Sequence, residues 1–356
     1  MRILLVVTDL DLGGAEAQVV ALACGLARRG HEVQLASLID PVARTGELDA
    51  AAVPWHSLGM RRGLPDPRAI MRLARLIRNF RPDVVHSHMV HANILSRLTR
   101  LVTRMPRLIT TAHNTVEGGR LLDLAYRMTD GLADLTTNVS DASVQSFLQR
   151  RLSKAGRIRA VENGLDLQPF ETARASGPEK RDELGLTGFT WLAIGRLVPD
   201  KDFANLLAAH KQLPAGTELL IAGSGPLEAE LRALAGEGVR LLGRRSDIPQ
   251  LLAAADALVL SSTVEGLPMV LLEAAAAHLP VVSTDVGGTA QIVSDGETGI
   301  LVPASNTPAL ARAMLRLMEM PAAERQQLAD RAAERVKERY GLQQVLDRWE
   351  HIYEAG

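Results

Sequence analysis

Residues Thr190–Pro226 read TWLAIGRLVPDKDFANLLAAHKQLPAGTELLIAGSGP. An unbroken apolar run, TWLAI, ends at Gly195, and a charged turn containing Pro199 follows. Apolar positions then recur at helical spacing from Asp202, before a second apolar run, ELLIA, closes on Gly223. Short unbroken apolar runs read as strands buried on both faces, and the change of period between them reads as a covering helix. The unit is therefore strand, crossover helix, strand, which is the building block of a parallel sheet.

The same alternation continues on both sides. Toward the C-terminus come VRLLG from Val239, a helix near Ile248, DALVLSS from Asp256, a helix containing Glu273, and PVVST from Pro280. Toward the N-terminus, a polar stretch rich in Pro and Gly at 167–190 breaks the pattern and reads as a linker leading into a short helix. Before it lie the strand runs ILLVV from Ile3, EVQLAS from Glu32, DVVHSH from Asp83, RLITTAH from Arg107, DLTTNVS from Asp134 and IRAVENG from Ile158. Helical patterns at Ala15–Arg29, Pro67–Asn79 and Ala92–Thr103 fill gaps between them.

The expectation is an α/β protein of two doubly wound, Rossmann-like domains, one over residues 1–168 and one over 169–340. From Thr307 the chain reads as helical, divided by Gly341. Residues 341–356 should form a last helix whose stripe of Trp349, Ile352 and Tyr353 needs a partner surface.

Composition fits this picture. The chain has 356 residues, too many for one ordinary core, with 47% hydrophobic and 23% charged residues. A repeat of solenoid period is absent. Asp9 and Asp11 end the first apolar run too early for a signal peptide, and the run Leu267–Val282 is too short and too interrupted to span a membrane. One cysteine, Cys24, excludes an internal disulfide and reads as a buried bystander in a reducing cytoplasm. The net charge of −1 conceals an asymmetry: residues 1–165 carry 22 Lys and Arg against 15 Asp and Glu, whereas 166–356 carry 18 against 26. A basic half can meet nucleic acid, an anionic lipid surface or a phosphorylated acceptor.

In open parallel sheets ligands gather where strands lead into helix N-termini. After the first strand, DLDLGGAEAQ brings Gly13 and Gly14 to a helix start, which permits close backbone approach to a ligand. The GxGxxG fingerprint of nicotinamide binding is absent there. GRLVPDKDF places Arg196 and Lys201 on one loop entering a helix, a pairing suited to a diphosphate. In SSTVEGLPMVLLEA, two acids interrupt an apolar run. Pro268 suits a first helical turn, so Glu265 and Gly266 belong to the preceding loop and Glu273 lies about one and a half turns inside. Carboxylates accept hydrogen bonds from vicinal hydroxyls, and the helix N-terminus between them favours phosphate.

Together these segments resemble the retaining glycosyltransferases of the GT-B fold, family 4 (group 1). The likeness runs from GGAE at Gly13 through TTAHN, NVS, VENGLD, GRLVPDKDF, IAGSGP, SSTVEGLPMVLLEA and STDVGG to DGETGILVP, and Glu265 with Glu273 matches the E-x7-E motif. The resemblance implies two domains facing each other across a cleft, the N-terminal one binding acceptor. It implies that Glu265 contacts the donor sugar, that the backbone around Gly266, Leu267, Pro268 and Val270 holds sugar and phosphate, and that Glu273 binds the ribose. Arg196 and Lys201 would neutralise the diphosphate, Gly14 would lie under the phosphates and His113 near the reacting sugar, with Arg244 and Ile248 at the nucleobase. His113, Glu265, Arg196 and Lys201 are then the catalytic set. An acid common after the double glycine is replaced by Gln291.

The expected reaction moves a hexose or N-acetylhexosamine from a nucleotide sugar, UDP favoured and GDP-mannose an alternative, to a glycan or polyprenyl-diphosphate-linked acceptor in bacterial surface polysaccharide assembly. The enzyme would need no metal or other cofactor, because Arg196, Lys201 and helix dipoles stabilise the leaving group. It would work in the cytoplasm at an anionic membrane surface, with no nucleic-acid partner. The rivals are a nucleotide-sugar 2-epimerase and a catalytically silent nucleotide-sugar-binding protein. His86, His88 and His91 in HSHMVH lack the carboxylate or cysteine partners of a familiar metal site and are expected to line a wall. Arg97, Arg100, Arg104 and Arg107 read as a solvated face or a lipid contact.

Overall fold

A computed structural model describes residues 1–11, 13–114 and 119–355. The chain forms two compact units: Met1–Leu165 together with the residues from Leu342 onward, and Asp166–Gly341.

In the first unit seven parallel strands form a sheet: β1 (Arg2–Val7), β2 (Glu32–Ile39), β3 (Trp55–Met60), β4 (Val84–His88), β5 (Arg107–Ala112), β6 (Leu135–Asn138) and β7 (Ile158–Ala160), in the order β3-β2-β1-β4-β5-β6-β7. The second unit has six: β8 (Thr190–Ile194), β9 (Glu218–Ala222), β10 (Val239–Gly243), β11 (Ala257–Leu260), β12 (Val281–Thr284) and β13 (Ile300–Val302), in the order β10-β9-β8-β11-β12-β13. In each sheet the order reverses beside the first strand, at β1/β4 and at β8/β11, which is where such sheets leave a crevice. The central strands are buried on both faces; every residue from Ile3 to Val7 is inaccessible. Each face of the first sheet carries its own apolar cluster, so helices cover both.

Two strands were not legible in the sequence. β3 and β13 are edge strands with a single neighbour each. In β3 only Leu58 is buried, and β13 is three residues long, so neither shows the unbroken apolar run of an internal strand. The stretch expected as a linker with one short helix holds two, Gln168–Ala173 and Gly177–Leu184. The C-terminal region breaks once more than expected, with helices Thr307–Glu319, Ala322–Tyr340 and Leu342–Glu354, because Pro321 cannot continue the helix before it.

The last helix buries Leu342, Val345, Leu346, Trp349, Ile352 and Tyr353 in the first unit. It packs on helix Gly14–Arg28, where Gly25 makes room for it: a Cβ there would stand 2.7 Å from Leu346 Cδ1. Arg29 tethers it through Asp347 and Glu350, both at 2.7 Å. Among the described residues no helix is long and apolar enough to cross a membrane.

Arg97 corrects the reading of the arginine series as a surface. It is wholly buried, and its guanidinium donates to Thr110 Oγ1 (2.8 Å), Thr136 Oγ1 (2.9 Å) and the Tyr126 carbonyl (3.2 Å), with the Asp130 carboxylate 3.6 Å away. A guanidinium can be buried when its two terminal nitrogens find acceptors in this way, although Nε of Arg97 has none.

Candidate active site

In the second unit the loop after β8 carries Arg196 and Lys201. It is sewn to the loop after β9: Gly195 N donates to Ala222 O, Leu197 N to Ser224 O and Leu227 N to Leu197 O, at 2.9–3.1 Å. Gly223 is required for this contact, since its φ is +153° and a Cβ would lie 1.9 Å from the Gly195 carbonyl oxygen. Pro199–Lys201 makes one tight turn, and Asp202 in the left-handed region turns the chain into helix Phe203–His210.

The loop after β11 carries Glu265 and is bonded to the same turn. Ser261 Oγ donates to Lys201 O (2.8 Å) and Thr263 N to Asp200 O (2.8 Å). Those backbone bonds bring the two charges together: Lys201 Nζ donates to Glu265 Oε1 at 2.5 Å, and Ser262 Oγ donates to the same oxygen at 2.7 Å. Glu265 is buried, so its carboxylate depends on those donors. Ser262 is itself held, its carbonyl accepting from Thr284 Oγ1 at 2.6 Å. The loop after β12 closes over the pair, with Gly288 N donating to Gly266 O at 2.9 Å. There Gly287, at φ +55°, passes so close that a Cβ would fall 1.8 Å from the Glu265 carbonyl oxygen.

Gly266, Leu267 and Pro268 are buried, and Val270 is half-buried. Pro268 is the residue before helix Met269–Ala276 rather than part of its first turn, and no side chain caps that N-terminus. Glu273 is half-buried on the second turn. Arg196 is exposed and makes no ion pair among the described residues. Arg244 is exposed just beyond β10, and Ile248 opens helix Ile248–Ala254, half-buried. The carboxyl-terminal loops of one sheet thus gather two basic side chains, two carboxylates and an uncapped helix start, a set able to hold an anion next to hydroxyls.

Gly14 and His113 belong to the other unit. Gly14 begins helix Gly14–Arg28, with Gly13 as the residue before it. His113 follows β5 and is buried, its Nε2 3.1 Å from His88 Nδ1. The rings of His86 and His88 lie 4.0 Å apart, and His86 bonds Tyr353 Oη at 2.7 Å and Thr111 Oγ1 at 2.6 Å. Trp349 packs 4.4 Å from the His86 ring, so the stripe on the last helix meets this histidine layer as well as an apolar core. His91 stands apart, exposed on helix Val90–Thr99. Met89, between His88 and that helix, holds φ +73° and ψ 154°, a strained conformation for a side-chain-bearing residue and one found at functional turns.

Burial pushes the His113 imidazole down to about 4 and holds His86 and His88 well below the ordinary histidine value. All three are therefore neutral at pH 7, and in the His88–His113 bond one ring donates while the other accepts. Because the unfolded chain binds protons near pH 6.5 and these rings do not, stability is complete above that pH and falls as pH drops toward 4. The slope should reach about 1.4 kcal/mol per pH unit for each such histidine. Histidine C2-proton shifts followed from pH 8 to 5 should leave at least three resonances untitrated, and urea midpoints should fall over the same range. A full set of histidines titrating near 6.5 would contradict the burial.

Ser262 and Thr284, which position Glu265, escaped the sequence reading; hydroxyls at strand ends are too common to stand out. Tyr353 could be placed on an apolar stripe, but not against His86.

Comparison with known proteins follows the two units. A model described as Glycosyltransferase Family 4 matches residues 12–169, and one described as Glycosyl transferases group 1 matches residues 188–320. The chain belongs to the family 4, group 1 glycosyltransferases. This glycosyltransferase is 25% identical over 276 residues to the UDP-Gal:alpha-D-GlcNAc-diphosphoundecaprenol alpha-1,3-galactosyltransferase of Escherichia coli, covering 72% of this chain and 71% of that protein. It is 28% identical over 360 residues to the phosphatidyl-myo-inositol mannosyltransferase of Mycolicibacterium smegmatis, covering 96% and 90%. The crystal structure of Anabaena HepE in complex with UDP and glucose superposes with a TM-score of 0.89 over the whole of both chains at 21% identity, which shows the shared GT-B fold.

Proposed function

We propose that this glycosyltransferase moves a hexose or N-acetylhexosamine, with retention of anomeric configuration, from a nucleotide sugar to a glycan or polyprenyl-diphosphate-linked glycan in bacterial surface polysaccharide assembly. A UDP-sugar is favoured over GDP-mannose. The observation that carries the reading is the Lys201–Glu265 pair, held at 2.5 Å between two interlocked loops beside an uncapped helix start. Support also comes from the relatives, whose names include a UDP-galactose-dependent transferase acting on a diphosphoundecaprenol-linked sugar.

In this reading the donor diphosphate lies over the N-terminus of helix Met269–Ala276, between Arg196 and Lys201. Glu265 accepts hydrogen bonds from the sugar hydroxyls and Glu273 from the ribose, while Arg244 and Ile248 border the base. Lys201 has three donors, so it can keep Glu265 and still reach a phosphate oxygen. The bond from the anomeric carbon to the phosphate oxygen breaks as the acceptor hydroxyl attacks the same face, and the hydroxyl proton passes to the departing diphosphate. Positive charge and helix dipole stabilise the growing negative charge, so the protein needs no metal for that step. His113, neutral and buried at the end of β5, is the hydrogen-bonding group that the first unit offers a ligand. The enzyme acts in the cytoplasm, at an anionic membrane surface.

A thermal-shift panel of UDP- and GDP-sugars tests the donor site. Saturating UDP-sugar is expected to stabilise the native protein by about 3–4 kcal/mol, the linkage expected at 100 to 1,000 times Kd. Glu273→Ala should lose most of that stabilisation. If no nucleotide sugar stabilises the native protein more than this variant, the assignment fails.

A further inference from the structure

Among the described residues, nine of the exposed large apolar side chains lie in the first unit and only Leu234 and Val264 in the second. The densest group is on helix Arg120–Thr129, where Leu121, Leu124 and Met128 are 84%, 50% and 76% exposed. Their spacing of three and four residues puts them on one stripe. The opposite face anchors the helix: Tyr126 is buried, packs edge-on against Phe147 and accepts a hydrogen bond from Asn93. The helix thus turns an apolar stripe outward when it has another face already docked.

Among the described residues, the unpaired charges on the helix that bears the stripe are basic. Arg120 and Arg127 are exposed on the same helix, and its acid, Asp123, is bound by Arg150. Helices Arg68–Phe80 and Val90–Thr99 pack in series beside it. The segment 61–107 that contains them has eleven arginines and two acids, Asp66 and Asp83; of the arginines, Arg97 is buried and Arg100 pairs with Asp134. Asp66 is bonded to Arg72, and Asp83 accepts from the backbone of Arg2. Leu101 and Val102 add exposed apolar surface just past the middle helix.

We infer that the outward face of helix Arg120–Thr129 docks on an anionic lipid bilayer, with Leu121, Leu124 and Met128 entering the headgroup boundary and the surrounding arginines meeting lipid phosphates. An apolar stripe bordered by arginines matches both layers of such a surface: acyl chains below, negative charge above. The helix begins seven residues after His113, at the carboxyl end of the same sheet. Docking would therefore bring a lipid-linked acceptor to the side of the protein that holds His113. The significance for catalysis rests on the proposed function; the docking itself does not.

The test uses the full chain and sedimentation with vesicles of phosphatidylcholine alone, or with about one third phosphatidylglycerol. The protein is expected to pellet with the anionic vesicles and not the neutral ones, and to be released by high salt. The double variant Leu121→Asp/Met128→Asp should bind at least about tenfold more weakly, and Arg120→Glu should weaken binding at low salt only. Both should keep the native circular dichroism and the native thermal response to nucleotide sugar. Wild-type protein left in the supernatant with anionic vesicles, or a double variant that pellets equally, overturns the inference. So does a wild-type dimer that the double variant dissolves, since the stripe would then belong to a second copy. Loss of the nucleotide-sugar response in the wild type would instead defeat the functional reading and leave the sedimentation result standing.

Discussion

Lys201→Ala is expected to lower kcat/KM by about 100- to 1,000-fold, the loss that follows removal of one positioned donor from a developing negative charge. The same substitution should destabilise the ligand-free protein. Glu265 is buried and its Oε1 is held by Lys201 Nζ and Ser262 Oγ, so removing the cation strands a carboxylate in a poor solvent. Breaking a fully buried pair costs about 3–5 kcal/mol; the Lys201 side chain is 21% exposed, which lowers the expectation to about 2 kcal/mol. Adding Glu265→Gln to Lys201→Ala should recover most of the stability and none of the activity, because it removes the stranded charge without restoring the cation. Urea unfolding and initial rates measure both. A stability loss that Glu265→Gln leaves in place would mean that the two side chains do not act as a unit.

Arg97→Met should unfold the first unit at markedly lower temperature. Its guanidinium is inaccessible, bonded to two threonines and a carbonyl, 4.0 Å from the Tyr126 ring and 3.6 Å from the Asp130 carboxylate. Loss of the charge takes the nearest cation from buried Asp130 and the donor from two hydroxyls and a carbonyl, a cost of about 3–5 kcal/mol, or roughly 6–20 °C in Tm. Arg97→Lys should recover little, because a point charge cannot reproduce the planar fork. Calorimetry of both variants is the measurement; a Tm within a degree or two of wild type for Arg97→Met would show that the buried network relaxes without loss.

The parallel architecture was legible wherever a strand had two neighbours. Leu4, Leu192 and Leu258 sit in runs that burial on both faces forces to be apolar throughout, and that pattern is visible without coordinates. It failed at β3 and β13, where an edge strand with one partner keeps only part of the pattern. The motif-bearing loops were legible for a different reason. Glycine next to charge at a strand end is uncommon, and Gly195–Arg196 with Lys201, and Glu265–Gly266, marked themselves.

Composition could not tell which arginines face water. Arg97 and Arg104 lie seven residues apart in the same basic segment, yet Arg97 is buried on helix Val90–Thr99 whereas Arg104 is exposed beyond its end. Charge along a chain says nothing about the donors and acceptors that folding will place around it, and these decide whether a guanidinium is interior or solvated.

By itself, then, the sequence determined two doubly wound units, the loops that carry Arg196, Lys201, Glu265 and Glu273, and the resemblance to family 4 glycosyltransferases. Those features are local: periodicity, turn glycines and residues within one stretch. The tertiary structure decided that Lys201 grips Glu265 across 64 positions of chain, that Tyr353 bonds His86 across 267, and that helix Arg120–Thr129 turns Leu121 and Met128 outward. Each depends on which strands lie side by side and which helix faces are already covered, and long-range packing sets both.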